Sequence, residues 1–182
     1  MSFTTTMFDE LILELGELAT LRDEALRQPL AGFDVSGENA LRGAATVDKV
    51  IFACVHSAGR SQMAAAFFNR LADPGKARAV SAGTEPAERV HPEVVDVMRE
   101  AGYDLSGARP SLLRRELAAS ASLLVTMGCG EACPYVPGLR REDWSLDDPQ
   151  GRDEDEVRRI RDDIRVRVER LVSEYGWSRA FS

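Results

Sequence analysis

Asp48-Lys49-Val50-Ile51-Phe52-Ala53-Cys54-Val55-His56-Ser57-Ala58-Gly59-Arg60-Ser61 is the stretch that decides the fold. Val47 to Val55 is rich in β-branched and aromatic residues and reads as a central strand. Gln62 to Leu71 (QMAAAFFNRL) reads as a helix that buries Met63, Ala66, Phe67 and Leu71. Between them, the spacing Cys-x5-Arg-Ser places a thiol at a strand end, small residues in a loop, and an Arg-Ser pair at a helix start. Small residues let the N–H groups of Val55, His56, Ser57, Ala58, Gly59, Arg60 and Ser61 turn inward as a nest for a tetrahedral oxyanion. The helix N-terminus adds unpaired N–H groups and a positive dipole end. Arg60 can grip two oxyanion oxygens at once. The same field should favour the thiolate of Cys54 and make it a nucleophile. Ser61 is expected to donate to that thiolate, to cap the helix, or both.

Outward from this stretch, strands and helices alternate. Ala77 to Ala82 reads as a second strand, followed by the turn Ser81-Ala82-Gly83-Thr84. Pro92 and Glu93 open a helix that Gly102 ends. Ser111 is expected to cap a further helix over Leu112 to Ala119. Leu123 to Met127 is a third strand, apolar enough to be buried on both faces. Trp144 and Leu146 alternate within Glu142 to Pro149 and suggest a short fourth strand. Asp153 to Tyr175 is the last helix, with Val157, Ile160, Ile164, Val168, Leu171 and Val172 as its apolar stripe. The pattern predicts an α/β fold, a four-stranded parallel sheet with helices on both faces. On such sheets ligands bind at the carboxyl ends of strands, where Cys54 lies.

Residues 1–46 precede this unit. Phe8, Leu11, Ile12, Leu15, Leu18 and Leu26 recur at helical spacing, so an N-terminal helical extension and linker is expected before a domain over 47–182. Two uses suit the extension, packing on its own domain or forming a homodimer arm.

The chain has 182 residues, 44% hydrophobic and 29% charged, and a net charge of -7. That balance argues against nucleic acid as the main partner. It leaves a small anion open, because such a ligand answers to the local field of one loop. No signal pattern or apolar run of membrane length is read, so the expected location is cytoplasmic, and no cofactor or metal is expected. In that compartment the three cysteines point to catalysis or redox chemistry before structural staples. Cys129 and Cys133 follow the third strand, which should carry them to the same sheet edge as Cys54. Their spacing puts two thiols on one helical face, and with no nearby histidine it makes a poor zinc half-site. Three thiols at one edge suit a relay: a covalent adduct on the first, displacement by a second, and resolution by a third.

Cys54 to Arg60 resembles the phosphate loop of low-molecular-weight tyrosine phosphatases and of the arsenate reductases built on that fold. The longer string Cys54 to Ala64 (CVHSAGRSQMA) is similar to the arsenate reductase branch, which usually carries Asn where this chain has Ser57. The resemblance implies that the Ser81-Ala82-Gly83-Thr84 region sits beside the loop. It implies that Asp148, the acid immediately before Pro149, protonates the leaving oxygen. Asp147 is then a turn residue, His91 is structural, and His56 contributes its backbone N–H. The resemblance also implies reduction of arsenate to arsenite for detoxification, with Cys129 attacking the Cys54 adduct and Cys133 resolving it. Thioredoxin is the expected reductant. A mycothiol or glutathione/glutaredoxin system that uses only one relay thiol is the alternative. The competing activity is phosphomonoester hydrolysis by Cys54, Arg60 and Asp148. Gln150 and Gly151 follow Asp148-Pro149 where the tyrosine phosphatases carry aromatic residues, and this favours a small inorganic oxyanion.

Overall fold

A computed structural model describes residues 46–129 and 132–179. The expected N-terminal helical extension and its suggested role in a homodimer lie outside the described residues.

The elements run β1 (Asp48–Cys54), α1 (Arg60–Leu71), β2 (Ala77–Gly83), α2 (Pro92–Glu100), α3 (Arg115–Ala119), β3 (Leu123–Thr126), β4 (Arg140–Asp143) and α4 (Glu154–Glu174). The four strands form one sheet in the order β2-β1-β3-β4. Every neighbouring pair is parallel, as expected. β1 is central, and its alternation decides what each face carries. Val50, Phe52 and Cys54 face a core that includes residues of α1, α2 and α4. Ile51 and Ala53 face a smaller core with Leu113, Ala118 and Leu124 on the α3 side. Helices therefore cover both faces, which is why β1 reads as an unbroken apolar run.

The end of the chain closes the larger core. Trp177 lies edge-on to Phe68, stacks on Tyr175, and donates its indole N–H to Asp48 Oδ2 at 2.9 Å. A buried indole needs such a partner, and Asp48 at the start of β1 supplies it.

Two expected elements differ. α3 starts at Arg115, with Arg114 at its cap, so Ser111 does not cap it. Leu112 is extended and bridges Gly83 in parallel, so the segment before α3 extends the sheet edge beyond β2. The fourth strand is Arg140–Asp143, earlier than the Trp144–Leu146 alternation implied. β4 is an edge strand with mostly exposed side chains, so it carries no apolar alternation to read. Leu146 and Asp148 leave the strand direction, and both bond to Arg60 of the Cys54 loop.

Candidate active site

β1 ends at Cys54 and α1 begins at Arg60, so Val55 to Gly59 spans the gap at the carboxyl edge of the sheet. The hydrogen bonding of this loop is one-sided. Its carbonyls are taken: Thr84 N–H donates to Cys54 O, Glu85 to Val55 O, Ala87 to His56 O, and His91 to Ala58 O. The Gln62 Nε2–H donates to Ser57 O at 2.8 Å. The backbone N–H groups of Val55 to Ser61 find no acceptor among the described residues. Amides left without protein acceptors, around a thiol, at the start of a twelve-residue helix form the donor set an oxyanion requires.

Cys54 is buried and unpaired, and its Sγ lies 3.0 Å from Ser61 Oγ. Ser61 is fully buried in the first turn of α1, and no side chain caps that helix. Of the two roles expected for Ser61, the structure shows the contact to sulfur. Arg60 is also buried, and its guanidinium is held by two hydrogen bonds. Nη1 donates to Leu146 O at 3.0 Å, and Nη2 donates to Asp148 Oδ2 at 2.6 Å. Gly128 lies so close that a Cβ there would stand 3.0 Å from Nη1. Asp148 thus sits at the cradle by its ion pair with Arg60, its side chain 44% exposed. The next residue, Pro149, packs on the loop itself, where a Cβ on Gly59 would come within 2.8 Å of its ring. Asp147 is exposed.

The sheet holds the loop from behind. A Cβ on Gly83 would lie 2.5 Å from Val55 O and 2.6 Å from Ser57 N. Gly83 therefore serves close approach, not the backbone freedom its place in a turn suggests. Ser57 has φ +50, a conformation uncommon for a residue with a side chain. Its Oγ lies 2.8 Å from Ser81 Oγ and accepts from Ser111 N–H at 3.3 Å. His91 donates its backbone N–H to Ala58 O, and its ring meets the His56 ring edge-on at 6.3 Å.

Cys129 and Cys133 do not present two thiols on one helical face. They are joined as a disulfide, with Cα atoms 5.9 Å apart, and Ala132 N–H turns back to Cys129 O. Both sulfurs are buried in the α3-side core, while Cys54 faces the other core. The turn at Gly128 (φ +81) links the two regions, because a Cβ on this glycine would stand 3.0 Å from Arg60 Nη1 and the next residue is Cys129.

Sequence reasoning left Ser81, Ser111 and Gln62 without functional roles, yet all three fasten the loop. Gln62 Nε2–H also reaches Arg109 O at 3.3 Å, and Ser111 Oγ–H donates to Ser81 O at 2.7 Å. Ser81 could have been found from its position at the carboxyl end of the strand beside β1. Ser111 carried no such signal, since its partners Ser81 and Ser57 are 30 and 54 positions away.

Fold and site define a class: a parallel α/β sheet whose central strand delivers a buried thiol to a cradle of free amides and one arginine. The chain belongs to the low molecular weight phosphotyrosine protein phosphatase family, whose pattern matches residues 49–178. It is 40% identical over 129 residues to a putative arsenate reductase of Halobacterium salinarum, covering 69% of this chain and 91% of the relative. It is 35% identical to the glutaredoxin arsenate reductase of Synechocystis, covering 69% and 96%. Among solved structures it is similar to the thioredoxin-dependent arsenate reductase of Corynebacterium glutamicum. That match has a TM-score of 0.64 and 34% identity, over 75% of this chain and 66% of the other. No helix among the described residues is long and apolar enough to cross a membrane.

Proposed function

We propose that this protein reduces arsenate to arsenite, with residues 47–182 as the catalytic domain and Cys54 as the nucleophile. The amides of Val55 to Ser61 and the guanidinium of Arg60 bind the oxyanion. The Cys54 thiolate attacks arsenic, an As–S bond forms, and one As–O bond breaks. Asp148 supplies the proton to the departing oxygen. Arsenic is still pentavalent at this point. Cys129 then attacks the Cys54 sulfur, the As–S electron pair leaves with arsenic as arsenite, and a Cys54–Cys129 disulfide forms. Cys133 attacks Cys129 and frees Cys54 as a thiolate. Two thiols have given up the two electrons that arsenic gained.

The observation that carries this reading is the pairing of Cys129 with Cys133 beside an unpaired Cys54. That is the composition of the last state in this sequence of steps, awaiting an external dithiol. Relatives named for thioredoxin and for glutaredoxin support a thiol reductant as the partner. Phosphoester hydrolysis gives the cystine no task, and Gln150 and Gly151 offer no aromatic wall for a phenol.

The test is arsenate-dependent NADPH oxidation, with thioredoxin and glutaredoxin or small-thiol systems run in parallel and arsenite quantified. Arsenite formation with at least one system is expected. Efficient aryl phosphate hydrolysis with no arsenite from any of them would overturn the assignment.

A further inference from the structure

The four residues after Asp148 form a turn whose own bonds use all but one of its amides. Arg152 N–H donates to Pro149 O at 3.2 Å and closes the turn. Its third residue, Gly151, has φ +70, the conformation for which such turns select glycine. Pro149 has no N–H to place. Gln150 N–H donates to Asp148 Oδ1 at 3.1 Å. The Gly151 N–H is left over, and it donates to Glu93 Oε1 at 3.1 Å, 58 positions away in the first turn of α2.

Among the described residues, three hydrogen bonds fasten Leu146 to Gly151 to the rest of the protein. Two come from Arg60, to Leu146 O and to Asp148 Oδ2. The third is the bond to Glu93. α2 is a firm anchor, since its Val94, Val97 and Met98 are fully buried. Its start also meets the turn at the loop itself. A Cβ on Gly59 would lie 2.8 Å from the Pro149 ring and 3.6 Å from the His91 ring.

We propose that Glu93 is a positioning residue that holds Asp148 at the cradle, through Gly151, while Arg60 serves the oxyanion. Two of the three ties come from the guanidinium that the anion recruits. The Asp148 side chain is 44% exposed, so an acid that loses its Arg60 bond can swing into solvent unless the turn behind it is fixed. The bond to Glu93 uses none of the groups that the anion needs. It keeps the acid within reach of the leaving oxygen, and it also keeps the Asp148 charge near an anion that it repels. Glu93 therefore favours proton delivery at the expense of binding.

This proposal rests on Asp148 being the general acid, but half of its test needs no arsenate. Phosphate affinity is measured by isothermal titration, beside kcat for arsenate reduction, in the full chain. The variants are Glu93→Ala, Glu93→Gln, Asp148→Asn and the double variant Glu93→Ala with Asp148→Asn. Glu93→Ala should bind phosphate about two- to threefold more tightly, because the acid can withdraw its charge. Its kcat should fall about tenfold, because the proton donor is no longer held in place. Glu93→Gln should restore both values, since a carboxamide oxygen still accepts the Gly151 N–H. Alanine and glutamine remove the same charge from the helix start, so the contrast between them isolates the bond. In the Asp148→Asn chain, adding Glu93→Ala should change neither value, because the two residues act as one unit.

A structural role alone would weaken phosphate binding and slow turnover together in Glu93→Ala, and that result would overturn the proposal. So would unchanged binding in Glu93→Ala, a Glu93→Gln chain that matches Glu93→Ala, or a Glu93→Ala effect that persists in full beside Asp148→Asn. Failure of the arsenate assignment looks different: the wild type binds phosphate and forms no arsenite, while the four phosphate affinities still decide the role of Glu93.

Discussion

Arg60 has its guanidinium between a carbonyl, a carboxylate and a glycine, and this sets a competition at the scale of single residues. Its bond to Asp148 is 2.6 Å long, and the arginine is buried while the acid is partly open to solvent. An oxyanion in the proposed cradle would share this guanidinium, which gives one N–H to Leu146 O and one to Asp148, so the Asp148 charge is expected to compete with it. Asp148→Asn should therefore bind phosphate or arsenate more tightly, by about fivefold, since the variant removes a competing charge. The same variant should lower turnover about 10²- to 10³-fold if Asp148 delivers the proton. Isothermal titration beside an arsenite assay separates the two effects; binding and turnover falling together would rule the competition out. Arg60→Lys should cost about 10²-fold in kcat/KM, because an ammonium cannot reproduce the planar fork. Cys54 and Arg60 stand in one short run with its own chemistry, whereas Asp148 reads alone as a turn acid and takes its expected role from the resemblance. The pairing of Arg60 with Asp148 could not be read there, because it joins positions 88 apart.

At the level of elements, the loop is as good as the strand ends that press on it. Gly83 ends β2 directly behind Val55 and Ser57, and the backbone of that loop leaves no room for a side chain there. Gly83→Ala must push loop backbone aside, because its nearest neighbours are main-chain atoms and not flexible tips. About 2 kcal/mol of stability should be lost, within the usual range for overpacking. Phosphate binding should fall with it, as read by thermal melts with and without ligand; a ligand-induced shift equal to wild type would contradict this. A second element-level device is the junction of α4 with β4. Tyr175 donates to Glu142 Oε1 at 3.3 Å under the Arg140 guanidinium. Burial, and then the Glu142 charge, push the Tyr175 hydroxyl above the ordinary tyrosine value of 10.0. The folded chain then keeps this proton longer than the unfolded chain does. The contribution is intact below about pH 10 and is lost as pH rises through the folded value. Melting temperature measured from pH 9 to 12 should fall less steeply in Tyr175→Phe than in wild type. Periodicity found α2 and α4 because each buries a regular stripe, and β1 stood out as a continuous apolar run. Periodicity misplaced β4, whose side chains are exposed, and the start of α3, where Ser111 bonds to Ser57 and Ser81 instead of capping a helix.

For the whole molecule, the sheet is a partition that the proposed relay would have to cross. Cys54 faces the α1 side and the Cys129–Cys133 pair is buried on the α3 side. The sequence placed all three at the carboxyl edge, correctly, because parallel strands share that edge. It held no sign that the pair would be closed and turned into the opposite core, because β-strand alternation does not extend past Thr126 into the segment that carries them. Gly128 is where that segment passes Arg60, one residue before Cys129. For Cys129 to attack an adduct on Cys54, the reduced segment must bring its sulfur round this point, whereas Cys133 follows four positions later. The two cysteines should then fail differently when replaced. With Cys133→Ser, Cys129 still expels arsenite, but nothing resolves the disulfide it forms with Cys54. About one equivalent of arsenite per chain should appear, and mass mapping should find Cys54 joined to Cys129. With Cys129→Ser, the remaining thiol of Cys133 lies further along the chain from the Arg60 contact. Arsenite should then fall well below one equivalent, with Cys54 recovered unpaired. If both variants turn over repeatedly at the wild-type rate with thioredoxin, the cystine plays no part in catalysis. If Cys129→Ser is the one that releases a full equivalent, the order of attack is reversed and Cys133 is the residue that crosses the partition.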